Sequence, residues 1–114
     1  MKQYAMHVQR PYWDALAAGA KTVEGRIAKP KYDPVLAGDL ICFSGGPDGG
    51  QCLTRIVEIQ RFSDFYSMLH AVGVKACVPG AQNLDEAVAI YHSFPGYEEN
   101  AKKHGVLAFV VELI

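Results

Sequence analysis

Twelve consecutive residues, Gln51 to Phe62, most restrict what this chain can become. A glycine-rich stretch, Gly45-Gly46-Pro47-Asp48-Gly49-Gly50, precedes them and Ser63 follows. That stretch lacks the lysine and the downstream helix of a phosphate-cradling loop, so it reads as a hairpin connection between two strands. Strand alternation puts Cys52, Thr54, Ile56, Glu58 and Gln60 on one face of the run and Leu53, Arg55, Val57 and Ile59 on the other. Neither face is cleanly apolar, as happens when a long strand changes face on its way around a barrel.

Other segments supply partners for it. Tyr4, Met6 and Val8 alternate with Gln3, Ala5 and His7 in a strand over 3–8. Thr22 to Ile27 reads as extended, and Leu40 to Phe43 is an apolar strand after the turn Ala37-Gly38-Asp39. The hydrophobic run Val106 to Ile114 is expected to close the sheet from its interior. Helical spacing appears between these strands. Pro11 suits the first turn of a helix through Ala18, with Gly19 as its C-terminal cap and Trp13, Leu16 and Ala17 as the buried face. Trp13 is expected in the core rather than as a stacking platform. Ser63 is placed to cap a helix to about Ala71 that buries Phe65, Met68, Leu69 and Val72. Val74 to Gln82 reads as a loop. Asn83 and Glu86 form a capping box for a second helix, with Leu84, Val88, Ile90 and Tyr91 inward, and Tyr97 to Lys103 makes a short helical turn. The class is α+β.

At 114 residues the chain reads as one domain, able to bury roughly two-thirds of its unfolded surface without staples. No stretch approaches the roughly 20 apolar residues of a membrane span, and no signal peptide is visible. Cys42, Cys52 and Cys77 are odd in number and lack metal or redox spacing, which fits a cytoplasmic or otherwise intracellular protein. His7, His70, His92 and His104 are scattered without ligand spacing, so no metal and no other cofactor is expected. Net charge is −1, yet residues 1–31 carry six cations against Asp14 and Glu24, whereas the remaining 83 carry five cations and ten acids. That asymmetry predicts one positive face suited to a few phosphates.

The chemistry concentrates in Gly19-Ala20-Lys21-Thr22-Val23-Glu24-Gly25-Arg26. In a strand, Val23 and Ile27 point to a core while Thr22, Glu24 and Arg26 share the opposite face. Arg26 offers a planar fork of donors for phosphate or carboxylate, and Lys21 a mobile point charge. Glu24, acceptor-only when ionised, can hold a base amino group or act as a general base. Gly25 allows a bulge or a close backbone approach. An exposed ion pair between Glu24 and Arg26 is the plain alternative, worth about 0–1 kcal/mol. The following loop, Ala28 to Pro34, is basic and proline-bounded. Its Tyr32, between Lys29 and Lys31 and the signature, can stack on a base or cover one end of the fold.

Gly19, Lys21, Glu24 and Arg26 spell Gly-x-Lys-x-x-Glu-x-Arg, and the chain resembles the ASCH domain family in that signature. Gln9-Arg10-Pro11-Tyr12 is similar to the turn before the family's first helix, and Phe94-Pro95-Gly96-Tyr97 to a segment before its last strand. The resemblance spans nearly the whole chain. It implies a PUA-like small β-barrel of five or six strands, three or four helices packed outside, and a cleft holding the signature residues. It also implies an RNA or nucleotide ligand, with some family members being enzymes.

Three functions follow from the resemblance. As a binding module, the chain would hold phosphate or a base edge with Lys21 and Arg26 and accept from a base with Glu24. Lys29 and Lys31 would track the neighbouring backbone, with Gly19, Thr22, Tyr32 and Arg10 as further ligand-binding residues. As a metal-independent ribonuclease, Glu24 would deprotonate a ribose hydroxyl beside Lys21 and Arg26. As an N4-acetylcytidine amidohydrolase it would need the family's lysine-activated threonine and a helper glutamate. Here Glu24 stands at that threonine's place, Thr22 sits two positions early, and Pro79 falls where the glutamate is expected. A protein partner for the same cleft is the fourth alternative.

Overall fold

Period-two hydrophobicity builds five strands: β1 (Gln3–His7), β2 (Val23–Ile27), β3 (Leu40–Ser44), β4 (Gln51–Phe62) and β5 (Val106–Leu113). The computed structural model describes all residues, Met1–Ile114. One sheet has the order β1-β3-β4-β5-β2, with β1 parallel to β3 and every other pair antiparallel. It curls into a half-barrel, the PUA-like α+β architecture that the resemblance implied. β5 lies inside the sheet as expected, and the glycine-rich stretch joins β3 to β4 as a hairpin.

The mixed pattern of β4 has a specific cause. Ile56 pairs with Val111 and Glu58 with Val110, which leaves Val57 as an unpaired extra residue. Such a bulge swaps the two faces of a strand. Before it, Cys52, Thr54 and Ile56 face the barrel interior; after it, Ile59 and Arg61 stand opposite the inward residues Phe109 and Leu107.

Five helices accompany the sheet: α1 (Tyr12–Ala17), α2 (Phe65–Val72), α3 (Val74–Cys77), α4 (Leu84–Ser93) and α5 (Tyr97–His104). The expected loop over 74–82 thus begins with a helical turn, which makes one helix more than expected. Two caps show local sequence at work. The Asn83 side chain accepts from the Glu86 N–H at 2.9 Å, as its spacing suggested. Asp64, not Ser63, caps α2, because its carboxylate reaches the Ser67 N–H at 2.7 Å.

Two apolar clusters result. One fills the barrel with Met6, Val8, Leu16, Ile41, Phe43, Ile56 and Phe109. The other packs α2–α5 against the outer face of β2 and β5, through Val23, Ile27, Phe65, Met68, Leu69, Tyr91 and Val106. Each fully buried Phe or Leu contributes about 1.5–3 kcal/mol. Trp13 belongs to the first cluster's edge and donates from Nε1 to the Phe43 carbonyl at 3.0 Å, so it is a packing residue. Ala17, expected on the buried face of α1, is exposed.

Candidate functional site at the seam of the half-barrel

The open seam lies between the outermost strands, β1 and β2, and the signature residues meet there. Val23 and Ile27 face the helical cluster as their alternation demands, so Glu24 and Arg26 project to the other side. Gly25, on the helical side, is closely packed: a Cβ there would lie 2.8 Å from Met68 Cε and 2.9 Å from the Tyr91 hydroxyl, so a side chain would require these to shift.

Lys21 is not mobile. Its ammonium has three donors, and three protein acceptors take them: the Val23 carbonyl at 2.5 Å, the Cys77 carbonyl at 2.8 Å and Glu24 Oε1 at 3.1 Å. Its side chain is 2% exposed and that of Glu24 9%. Glu24 Oε2 in turn accepts from Arg26 Nε at 2.7 Å. Arg26 Nη2 then donates to the His7 carbonyl at 2.7 Å, bridging the seam from β2 to β1. The surface-pair alternative therefore fails; the three charges form a buried chain with a net charge of +1. Two of the five guanidinium donors are engaged, leaving three for a ligand. Burial works against the charge of Arg26, but Glu24, with Tyr32 and Tyr97, outweighs it and holds the pKa above its ordinary value.

Above this chain opens a cavity of about 230 Å³ whose walls are mainly aromatic and apolar. Tyr12, Tyr91, Phe94 and Tyr97 line it together with His7, Val8 and Gln9. Phe94 stands edge-on to Tyr12, Tyr91 and Tyr97 at centroid distances of 6.3, 6.0 and 5.3 Å. Behind them Phe65 lies flat between Tyr91 and Tyr97, at 4.4 and 5.7 Å. Burial, reinforced by Glu24, raises the phenol pKa values of Tyr12, Tyr91 and Tyr97. Burial also pushes the Cys77 thiol up to about 11, against the pull of Lys21. At neutral pH these groups are uncharged, and the phenols are donors rather than nucleophiles. No group of three or more His, Cys, Asp or Glu side chains is placed to hold a metal ion.

The ASCH domain family's sequence profile matches residues 6–114. The chain belongs to the ASCH domain family. A crystal structure of hypothetical protein PH0355 superposes with a TM-score of 0.87 at 33% identity, covering 98% of this chain and 99% of that one. The solution structure of protein PF0455 from Pyrococcus furiosus gives 0.78 at 28% identity, covering 98% and 97%. A search of curated proteins returned no match. The ASCH family is generally associated with RNA binding.

The ASCH signature itself divides on folding. Lys21, Glu24 and Arg26 line the seam cavity. Gly19 and Thr22 instead border a second hollow with Thr54, Val111 and Glu112, which Lys21 also lines, so Thr22 does not share the cavity with Glu24 and Arg26 as strand alternation suggested. The reason is that β2 starts at Val23, and Thr22 is diverted by its N–H bond to the Ala76 carbonyl at 2.9 Å. Arg10 is exposed and forms a fork with Asp14, both contacts at 2.9 Å. Lys29 and Lys31 are exposed and do not line the cavity. Tyr32 packs edge-on against Phe109 at 5.7 Å and covers the barrel end, close enough to Arg26 and Tyr97 to raise their pKa values. Tyr91 and Cys77 were not legible as site residues, since an apolar helical stripe and a backbone acceptor carry no ligand signal.

Proposed function

We propose that this ASCH domain binds single-stranded RNA by taking one unstacked nucleotide into the seam cavity. The observation that carries the reading is Arg26: pinned by Glu24 and His7, it keeps three N–H donors at the mouth of an aromatic-walled cavity. At about 230 Å³ the space is below the ~300–1,000 Å³ of drug-sized pockets. It suits a single base and not a folded nucleic acid. Unstacked bases are held by aromatic faces and Arg planes, at about 1–3 kcal/mol per stacked base.

The roles differ from those expected of the signature residues. Lys21 has no donor to spare, so it positions Glu24 and the turn at Cys77 instead of meeting phosphate. Glu24 is engaged through both oxygens and aligns Arg26. The cavity then offers mostly donors, favouring a phosphate or a carbonyl-bearing base edge.

Hydrolysis is less well supported. Thr22 lies outside the cavity, and the cavity's tyrosines are held neutral. Backbone-amide NMR shifts on adding uridine or adenosine monophosphate test the reading. Shifts confined to 24–27, 91–97 and 7–9 are expected. Shifts elsewhere, or none at millimolar ligand, would remove the cavity from the account.

A further inference from the structure

Beyond the cavity, five cations gather at one end of the half-barrel, and none of them forms an ion pair: Lys29, Lys31, Arg61, Lys102 and Lys103. All five are exposed. They come from three separate elements, and specific contacts unite them. The Ala28 N–H donates to the Gly105 carbonyl at 3.0 Å, tying the segment that starts at Lys29 to the residue just after α5. Arg61 Nη1 reaches the His104 carbonyl at 3.4 Å, at the same helix end. Arg26 and Arg61 are both register partners of Leu107, from opposite sides of β5. The ligand-facing guanidinium and Arg61 therefore lie in one row of the sheet, on one face.

α5 carries Tyr97 at the cavity and Lys102 and Lys103 in its last turn, about 8–9 Å further along the helix. Lysines in a last turn also complement the helix dipole. That explanation leaves Lys29, Lys31 and Arg61 untouched, since they sit on other elements. Unpaired like charges repel, and a chain whose residues beyond 31 are net acidic has carboxylates to spare elsewhere. Asp33 shares the loop of Lys29 and Lys31, yet it pairs with none of the five, and this surplus of unpaired cations points to an anionic partner.

We propose that this end of the half-barrel is a phosphate track, on which the backbone of a single-stranded RNA runs after one nucleotide has entered the seam cavity. The inference rests on the RNA-binding reading above and adds Arg61, Lys102 and Lys103 to it.

The test measures binding of a short oligouridylate and of uridine monophosphate across a salt series, with wild type and the R61Q/K102Q/K103Q variant. Each phosphate neutralised on a single strand adds about 0.7 to the slope of log affinity against log salt, so three lost contacts flatten it by about 2. Uridine monophosphate should bind both proteins alike, and K102R/K103R should keep the wild-type slope. An unchanged slope with RNA still bound would overturn the track and leave the cavity reading standing. Equal loss of the mononucleotide would also overturn the track, because the residues would then act on the cavity. Wild type that binds neither probe would bring down both.

Discussion

Replacing Glu24 with Gln isolates the buried charge chain. The substitution keeps the shape and removes the only anion between Lys21 and Arg26. Lys21 has a side chain 2% exposed, so its ammonium cannot turn to water without opening the seam. Removing one partner of a buried pair costs about 3–5 kcal/mol. Two carbonyls still accept from Lys21 Nζ, at 2.5 and 2.8 Å, which argues for the lower end, about 3 kcal/mol. For a domain of this size that corresponds to a fall of about 12 °C in Tm, measured by thermal circular dichroism. Lys21→Met should also destabilise. The double variant should lose less than the two single losses combined, with a coupling of about 1–3 kcal/mol. A Tm within about 2 °C of wild type for Glu24→Gln, or strictly additive losses, would refute the claim that these charges depend on one another.

Gly25→Ala should destabilise by about 1–3 kcal/mol in denaturant unfolding, since Met68 can move aside but the Tyr91 ring is held by Phe65. Asp39 accepts from the Lys2 and Leu36 N–H groups, both at 3.0 Å, and these bonds hold its carboxyl below the usual range. Its folded pKa is depressed, so the stability it supplies is present above about pH 4 and lost as pH falls through the folded value. Asp39→Asn should flatten the acid limb of a stability–pH curve; an unchanged limb would mean those bonds contribute nothing. Thiol labelling near pH 8 should mark Cys42 first and spare Cys77, buried and raised to about 11, until the chain unfolds. Equal labelling rates would contradict the packing at the cavity floor.

Local rules carried most of the fold. Alternation located every strand, and the Asn83 spacing located the start of α4. The mixed faces of β4 signalled a face change, although only the pairing of Ile56 and Glu58 reveals Val57 as the bulge. Ser63 and Asp64 are both good capping residues, and which one caps depends on backbone geometry that composition does not express. The site was half legible. Glu24 and Arg26 fall together by strand period, but Lys21 is fixed by a carbonyl 56 residues away at Cys77. Tyr91, Phe94 and Tyr97 repeat every three residues, a spacing that reads as core. They become a wall because the seam leaves their edge uncovered. Of the six cations among residues 1–31, Arg10 pairs with Asp14, and Lys21 and Arg26 with Glu24, so Lys2, Lys29 and Lys31 alone stay unpaired; which charges pair depends on the fold and not on their count.

The most direct test of the central claim is the affinity of single-stranded RNA for wild type and Arg26→Gln at one moderate salt concentration, with thermal unfolding as the control for folding. A guanidinium that meets the ligand predicts binding weakened at least tenfold, or about 1.4 kcal/mol, while Lys2→Gln, at the opposite end of β1 from His7, leaves affinity within twofold. Equal affinity for wild type and a folded Arg26→Gln would contradict the account, because the donors at the cavity mouth would then hold nothing.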